Sequence, residues 1–318
     1  MRTPDFSFEH LSRLDPTGQI DLEDSSSVEK AVRAILDRHY AGRYDVRLLH
    51  SAMADTVRAY GGEYPGLLHC DTPYHDLRHA LETALTTARL LDGYATSHAP
   101  DSEAGIDANH ALLGILLALF HDIGLLRRDS EANLSGPALT PVHEERGVEF
   151  INSYLRSTTL SPLIGEAKLL MATRLAFKMP ESWTPGEQML ASLIATADVL
   201  SQFSDRCYLE KCRDFLFFEF SAFGLAGKPD TLYPDRQTLL EETPAFVECV
   251  MQKRLDEEFQ GVRRHLRTHM AGADPWEEAI QRSLGYLKTL LEGANTASLR
   301  RQPKPFFGIF AEPLCSVC

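Results

Sequence analysis

One run of sequence limits the fold more than any other. Leu112, Leu113, Ile115, Leu116, Leu117, Leu119 and Phe120 are apolar nearly all round a helical wheel. A helix with no polar face is buried on every side. Asp107 can cap its start, and it runs into His121-Asp122, with Gly124 available as a stop. A carboxylate at the inner end of a buried helix is expensive unless it is paired or bound to a metal. The stretch Leu193–Leu200 repeats the theme, placing Asp198 inside a second apolar helix.

A third stretch supplies imidazoles. Pro73 suits a helix start, because the first turn has spare N–H groups and proline lacks one. Asp71 and Thr72 before it can cap. His75 and His79 then lie four residues apart, one turn apart on one helix face. Leu81, Leu85, Leu90 and Leu91 continue as the apolar side that pins this helix to a core. Imidazole beside carboxylate is a mixed nitrogen and oxygen donor set suited to zinc, manganese, iron and similar ions. Taken singly, each of these residues reads better as a hydrogen-bonded core histidine or a paired aspartate. Together, such residues on apolar helices would otherwise each need a separate partner.

The rest of the chain reads as helices between short polar breaks. Ser26-Ser27-Val28-Glu29 has capping-box spacing ahead of a helix to about Tyr40. Further helices are expected from Leu48 to Tyr60, Ile164 to Lys178, Gln188 to Phe203, through the aromatic Tyr208–Phe223 run, from Leu239 to about Met270, and from Pro275 to about Leu291. The aromatic run, with Phe215, Phe217, Phe218, Phe220 and Phe223, reads as core rather than a cofactor stack. No strand alternation or internal repeat stands out. The expectation is an all-α fold in one domain: an extended N-terminal arm over residues 1–25, a helical body over 26–295 and a non-helical tail over 296–318.

The 318 residues carry 44% hydrophobic side chains and a formal net charge of −13. That charge argues against a nucleic-acid polymer or an anionic membrane as partner, though not against a small phosphorylated ligand, since a bound cation reverses the field locally. With no apolar stretch near the start and six scattered cysteines, the expectation is a cytoplasmic protein with reduced thiols. Cys315-x-x-Cys318 has no second pair and reads as chance. An oligomer is compatible with the sequence.

The ordered set His79, His121-Asp122, Asp198 resembles the H…HD…D signature of the HD-domain metal-dependent phosphohydrolases. Tyr74-His75-Asp76-x-x-His79-Ala80 is similar to the Y-H-N-x-x-H-A segment of cyclic-nucleotide phosphodiesterases and some bacterial HD proteins. The match spans roughly Pro73 to Gln202. The resemblance implies a single multi-helix HD bundle in which His79, His121, Asp122 and Asp198 hold one or two divalent ions, of Mn, Mg, Zn or Fe, that activate water against a phosphoester, with Asp122 commonly shared between them. It implies a general-acid role for His75, whose other reading is a hydrogen-bonder behind the ligands. His143 in His143-x-x-x-Gly147 resembles a second-metal ligand of two-metal relatives; the alternatives are a substrate contact or a helix-start hydrogen bond. Arg174 takes a place where such relatives carry histidine, and is the preferred phosphate contact.

Two departures matter. Asp76 stands where the phosphodiesterases have asparagine, and no histidine lies between Ile164 and Trp183. The expected activity is hydrolysis of a phosphodiester or nucleotide. The alternatives are an HD-type di-iron oxygenase and a non-catalytic binding protein with a vestigial metal site.

Overall fold

The computed structural model describes residues 8–293, 295–299 and 301–306. It is 64% helical with 2% strand and no sheet, twelve helices packed together as an all-α bundle. These are α1 (Phe8–Arg13), α2 (Ser25–Tyr40), α3 (Val46–Tyr60), α4 (Leu77–Ser97), α5 (Ala108–Phe120), α6 (His143–Leu155), α7 (Pro185–Phe203), α8 (Tyr208–Lys211), α9 (Phe217–Ala222), α10 (Arg236–Cys249), α11 (Arg264–His269) and α12 (Pro275–Glu292).

The hub is α4, which packs on α2, α5, α7 and α11. Every residue from Leu77 to Ala95 is buried, so the one-sided apolar stripe read from its leucines understates it. Distant parts of the chain supply partners for two of its buried charges. Arg89 bonds Asp15 at 2.5 Å and lies over the Trp276 ring, while Asp92 takes His269 at 2.7 Å and Arg38 at 3.0 Å. Gly93 lets α11 approach, since a Cβ there would stand 1.9 Å from the His265 carbonyl oxygen.

The apolar helix α5 starts at its Asp107 cap and is buried from Ala111 to Phe120. The window Ala108–Leu125 is apolar enough to resemble a membrane span, but 89% of it is buried within the bundle. Gly124 serves packing rather than helix arrest: α5 ends at Phe120, and a Cβ on Gly124 would meet the His143 carbonyl oxygen at 1.9 Å.

Several boundaries differ from the sequence reading. The arm over residues 8–24 is not extended: it forms α1 and then a loop in which Asp15 and Leu22 are fully buried. The Asp15 carboxylate bonds the Gln19 and Ile20 N–H groups and folds that loop on itself. The α2 cap is Asp24, not the Ser26 box. Between Ile164 and Lys178 a 3₁₀ stretch, Glu166–Thr173, replaces the expected helix. Around its end the Arg254 guanidinium donates to the carbonyls of Ala172, Arg174 and Phe177, taking acceptors that a continuing helix would use. The aromatic run breaks into α8, a π-helical turn Cys212–Leu216 and α9. The tail after Gln302 has no helix as far as Phe306, whose N–H donates to Asp76; Cys315 and Cys318 lie outside the described residues.

Candidate metal centre

The first correction concerns the start of α4. The helix begins at Leu77, with Asp76 as its cap, not at Pro73. Asp76 accepts the backbone N–H of His79 at 3.1 Å and that of Phe306 at 3.2 Å. The aspartate that departs from the phosphodiesterase pattern is thus an ordinary N-cap for the helix that carries His79. His75 stands just outside the helix, so the i,i+4 pairing does not apply. Its ring nevertheless meets that of His79 edge to face, centroids 5.9 Å apart.

Three helices bring four side chains together. His79 comes from the first turn of α4, His121 and Asp122 from the end of α5, and Asp198 from the middle of α7, and all four are buried. His79 Nε2 lies 3.0 Å from His121 Nε2, 3.6 Å from Asp122 Oδ2 and 3.1 Å from Asp198 Oδ1. His121 Nε2 lies 3.1 Å from Asp122 Oδ2 and 3.6 Å from Asp198 Oδ1. Donors about 2.1 Å from one ion stand about 3.0 Å apart at right angles and about 3.4 Å apart at tetrahedral angles, so these separations match the edges of a coordination shell. The ligand atoms of His79, His121 and Asp122 all lie within 4.8 Å of one another.

The surroundings set the tautomers. His121 Nδ1 bonds the Ala118 carbonyl at 2.7 Å. His79 Nδ1 faces Ser201 Oγ at 3.3 Å. With Nδ1–H donated outward, each ring presents the Nε2 lone pair to the cluster, the arrangement that orients metal-binding histidines. Two such lone pairs 3.0 Å apart repel unless a proton or cation lies between them. The Asp122 Oδ2 atom is buried against the two Nε2 atoms; with both of them acting as lone pairs, no donor among the described residues reaches it, a costly state that a proton on His121 or a bound cation relieves. With no ion bound the proton is favoured: burial alone pushes the His121 imidazole down, but Asp122 and then Asp198 outweigh it and bring it up to about 9. Burial would raise the Asp122 carboxyl; His121 and His75 hold it well below the usual carboxylate range instead. The donor set fits a divalent ion.

His143 opens α6 on the far side of Asp122. Its Nε2 is 3.5 Å from Asp122 Oδ1, the oxygen that does not face His79 and His121. Its Nδ1 bonds the Thr140 carbonyl at 2.7 Å, so it too presents Nε2. Arg146 locks the loop carrying Asp122, donating to the carbonyls of Gly124 and Leu126 and pairing with Glu131.

Asp122 and Asp198 of the cluster, with His143 and His75, line a cavity of about 620 Å³, a size that suits a small-molecule site. The rest of its lining is largely apolar and aromatic, with Phe203, Phe220, Phe223, Tyr233 and Phe246. The aromatic run therefore builds cavity wall as well as core. Arg174 lines the cavity, but its guanidinium is already bound by Glu144 at 2.8 Å and Glu145 at 2.5 Å. A phosphate there would have to displace a carboxylate.

Sequence reasoning missed Glu219. Buried on α9, its Oε2 accepts His75 Nδ1–H at 2.6 Å, and its Oε1 accepts the Tyr74 N–H at 2.7 Å. The signal was present: one carboxylate inside an aromatic helix needs a partner for the reason Asp198 does. Burial lowers the His75 imidazole, but Glu219 outweighs it, and the ring is brought up to about 10. Gln202 was missed as well; its amide donates to Asp198 Oδ1 at 2.7 Å and holds that carboxylate in place.

A scan against protein-family models, a search of curated proteins and a search of solved structures each returned no match.

Proposed function

We propose that this protein is a metal-dependent phosphohydrolase of the HD type that acts on a phosphodiester. The observation that carries the reading is the convergence of His79, His121, Asp122 and Asp198 beside a cavity lined by Asp122, Asp198 and His75, the last of these held by Glu219. In this reading the four side chains hold one divalent ion, and His143, across Asp122, helps hold a second. The ion supplies Lewis-acid activation of a water and of a phosphoryl oxygen.

The chain's own groups supply the rest. Glu219 fixes His75 with Nδ1–H donated away from the cavity. With its pKa up near 10, the ring is protonated at neutral pH and holds a proton at Nε2 for the leaving oxygen. Arg254 fixes the carbonyl backbone of the Ala172–Phe177 wall.

Charge selects the substrate class. Among the described lining residues Arg174 is the only guanidinium or ammonium group, against the carboxylates of Asp122, Glu144, Asp198 and Glu242. A polyphosphate needs more fixed cations than that. A singly charged phosphodiester bearing a flat aromatic group suits both the charge and the aromatic lining.

Elemental analysis and a phosphoester panel with added Mn, Mg, Zn and Fe test the reading. Asp122→Ala should lose both bound metal and turnover, while His75→Asn should keep the metal and lose on the order of 10²–10⁴-fold in kcat. Turnover surviving Asp122→Ala, or a purified protein that takes up no divalent metal, sinks it.

A further inference from the structure

A second cavity, of about 740 Å³, lies between α3 and the C-terminal half of α6, and shares no lining residue with the first. We propose that it is a separate ligand site for a nucleoside monophosphate, an aromatic base joined to a single phosphate. The proposal does not rest on the phosphohydrolase reading.

The groove is lined by three aromatic rings, Tyr64, Phe150 and Tyr154. Phe150 and Tyr154 stack with ring planes 21° apart, and Tyr64 is inclined at 59° to Phe150 with centroids 5.6 Å apart. Such a surface takes the face of a planar ring without regard to which base it is. The polar groups around it divide into two kinds. The carboxylates are engaged: Asp45 caps α3 and accepts Thr159 Oγ1 at 3.0 Å, and Asp55 accepts the Tyr154 hydroxyl at 3.0 Å and Arg58 at 2.8 Å. The donors are open. Among the described residues, the Arg47 guanidinium and the hydroxyls of Ser51, Ser153 and Ser157 form no hydrogen bond to the protein, and all four residues are exposed. What the groove offers a ligand is therefore donor capacity over an aromatic surface, which an anion with a flat ring uses.

Arg47 adds a second pointer. It sits in the first turn of α3, where the helix dipole disfavours a cation. The Asp45 carboxylate already takes the Arg47 and Leu48 N–H groups, so a phosphate bound here meets the guanidinium and not the helix end. Arg128, which also lines the groove, pairs with Glu149 at 3.1 Å at an exposed site, and such pairs yield easily to a stronger acceptor.

The groove also touches both flanks of the His121-Asp122 pair. Phe150 and Tyr154 pack on Phe120, with centroids 5.4 and 5.0 Å away, immediately before His121. On the other flank Leu68 N–H donates to the Arg127 carbonyl at 2.8 Å, and Leu67 bridges to Arg128. A ligand seated here presses on both ends of the segment that places Asp122.

Isothermal titration of the metal-stripped full-length protein with AMP and GMP tests this, with adenosine and inorganic phosphate as separate arms. The expected result is saturable binding of both monophosphates. Either fragment alone should bind at least tenfold more weakly, and Arg47→Glu and the groove-filling Ser153→Trp should each weaken AMP at least tenfold. Both positions are exposed, so thermal melts should match the parent. AMP binding that is undiminished in both variants places the nucleotide elsewhere and overturns the proposal, as does the absence of binding at millimolar AMP.

Discussion

Arg78 and His79 are neighbours on α4, yet they belong to two buried charge clusters built on opposite principles. In front, His79, His121, Asp122 and Asp198 gather two carboxylates and two imidazoles with no lysine or arginine among them. Behind, Asp205 is met by Lys211 at 2.6 Å and Arg78 at 3.5 Å, and its other oxygen accepts the Cys207 N–H at 2.6 Å. Both lie in the same core, on α4 and on or just beyond α7. The rear cluster carries its own counter-charges. The front one leaves Asp122 Oδ2 without a partner and directs imidazole lone pairs at the gap. Burial of charge is tolerated when it is compensated. Where the chain supplies the compensation the cluster is structural; where it withholds it, the cluster is shaped for something from outside.

That contrast can be broken from either side. The largest effect is expected in front. On the proposed metal reading, added divalent metal at about 100 times its Kd should stabilise the native protein by about 2.7 kcal/mol, a rise of several degrees in melting temperature. Asp198→Ala should abolish that rise and the turnover with it, while the metal-stripped variant melts close to the metal-stripped parent. A variant that still responds to metal would mean Asp198 is not a ligand.

Next in size is the rear cluster. Lys211→Met leaves the buried Asp205 carboxylate short of its nearest cation and should cost about 3–5 kcal/mol in denaturant unfolding. Metal uptake and activity per folded molecule should stay within a few-fold of the parent. Loss of metal binding in a folded Lys211→Met protein would merge the two clusters into one functional unit.

How much of this was legible beforehand follows from where each partner lies in the chain. The front residues stand out because each interrupts an apolar helix, so Asp122 and Asp198 could be read from Leu112–Asp122 and Leu193–Leu200 alone. The helical bundle was legible for the same reason, through the apolar period of each helix. The rear cluster was not. Arg78 looks like a surface charge until Asp205 is known to fold against it, and Asp15 looks like part of a loose arm until Arg89 is known to receive it. The start of α4 was misread because Pro73 and Asp76 are both good start signals, and the Glu219 bonds to the Tyr74 and His75 N–H groups hold that segment out of the helix. The Ile164–Lys178 segment does not run on as a helix past Thr173, where Arg254, some eighty residues later, bonds its carbonyls.

Glu82 sharpens the comparison further, because it is the one rear carboxylate with no counter-charge bonded to it. Both rear cations reach Asp205, while Glu82 lies buried beside them. Burial raises its pKa first and Asp205 adds to this, with Arg78 and Lys211 opposing, for a net rise from 4.5 to about 8. The native protein then holds a proton that the unfolded chain gives up above about pH 4.5. The unfolded state binds fewer protons across that window, so stability falls as pH rises from about 4.5 to 8 and levels off beyond it. Glu82→Gln keeps the shape and removes the titration. Its stability relative to the parent should therefore grow by roughly 1–3 kcal/mol between pH 5 and pH 8.5, read from urea unfolding at the two values. Parallel behaviour of the two proteins across that range would mean that Glu82 is ionised in the native state and that the rear cluster compensates all of its charges.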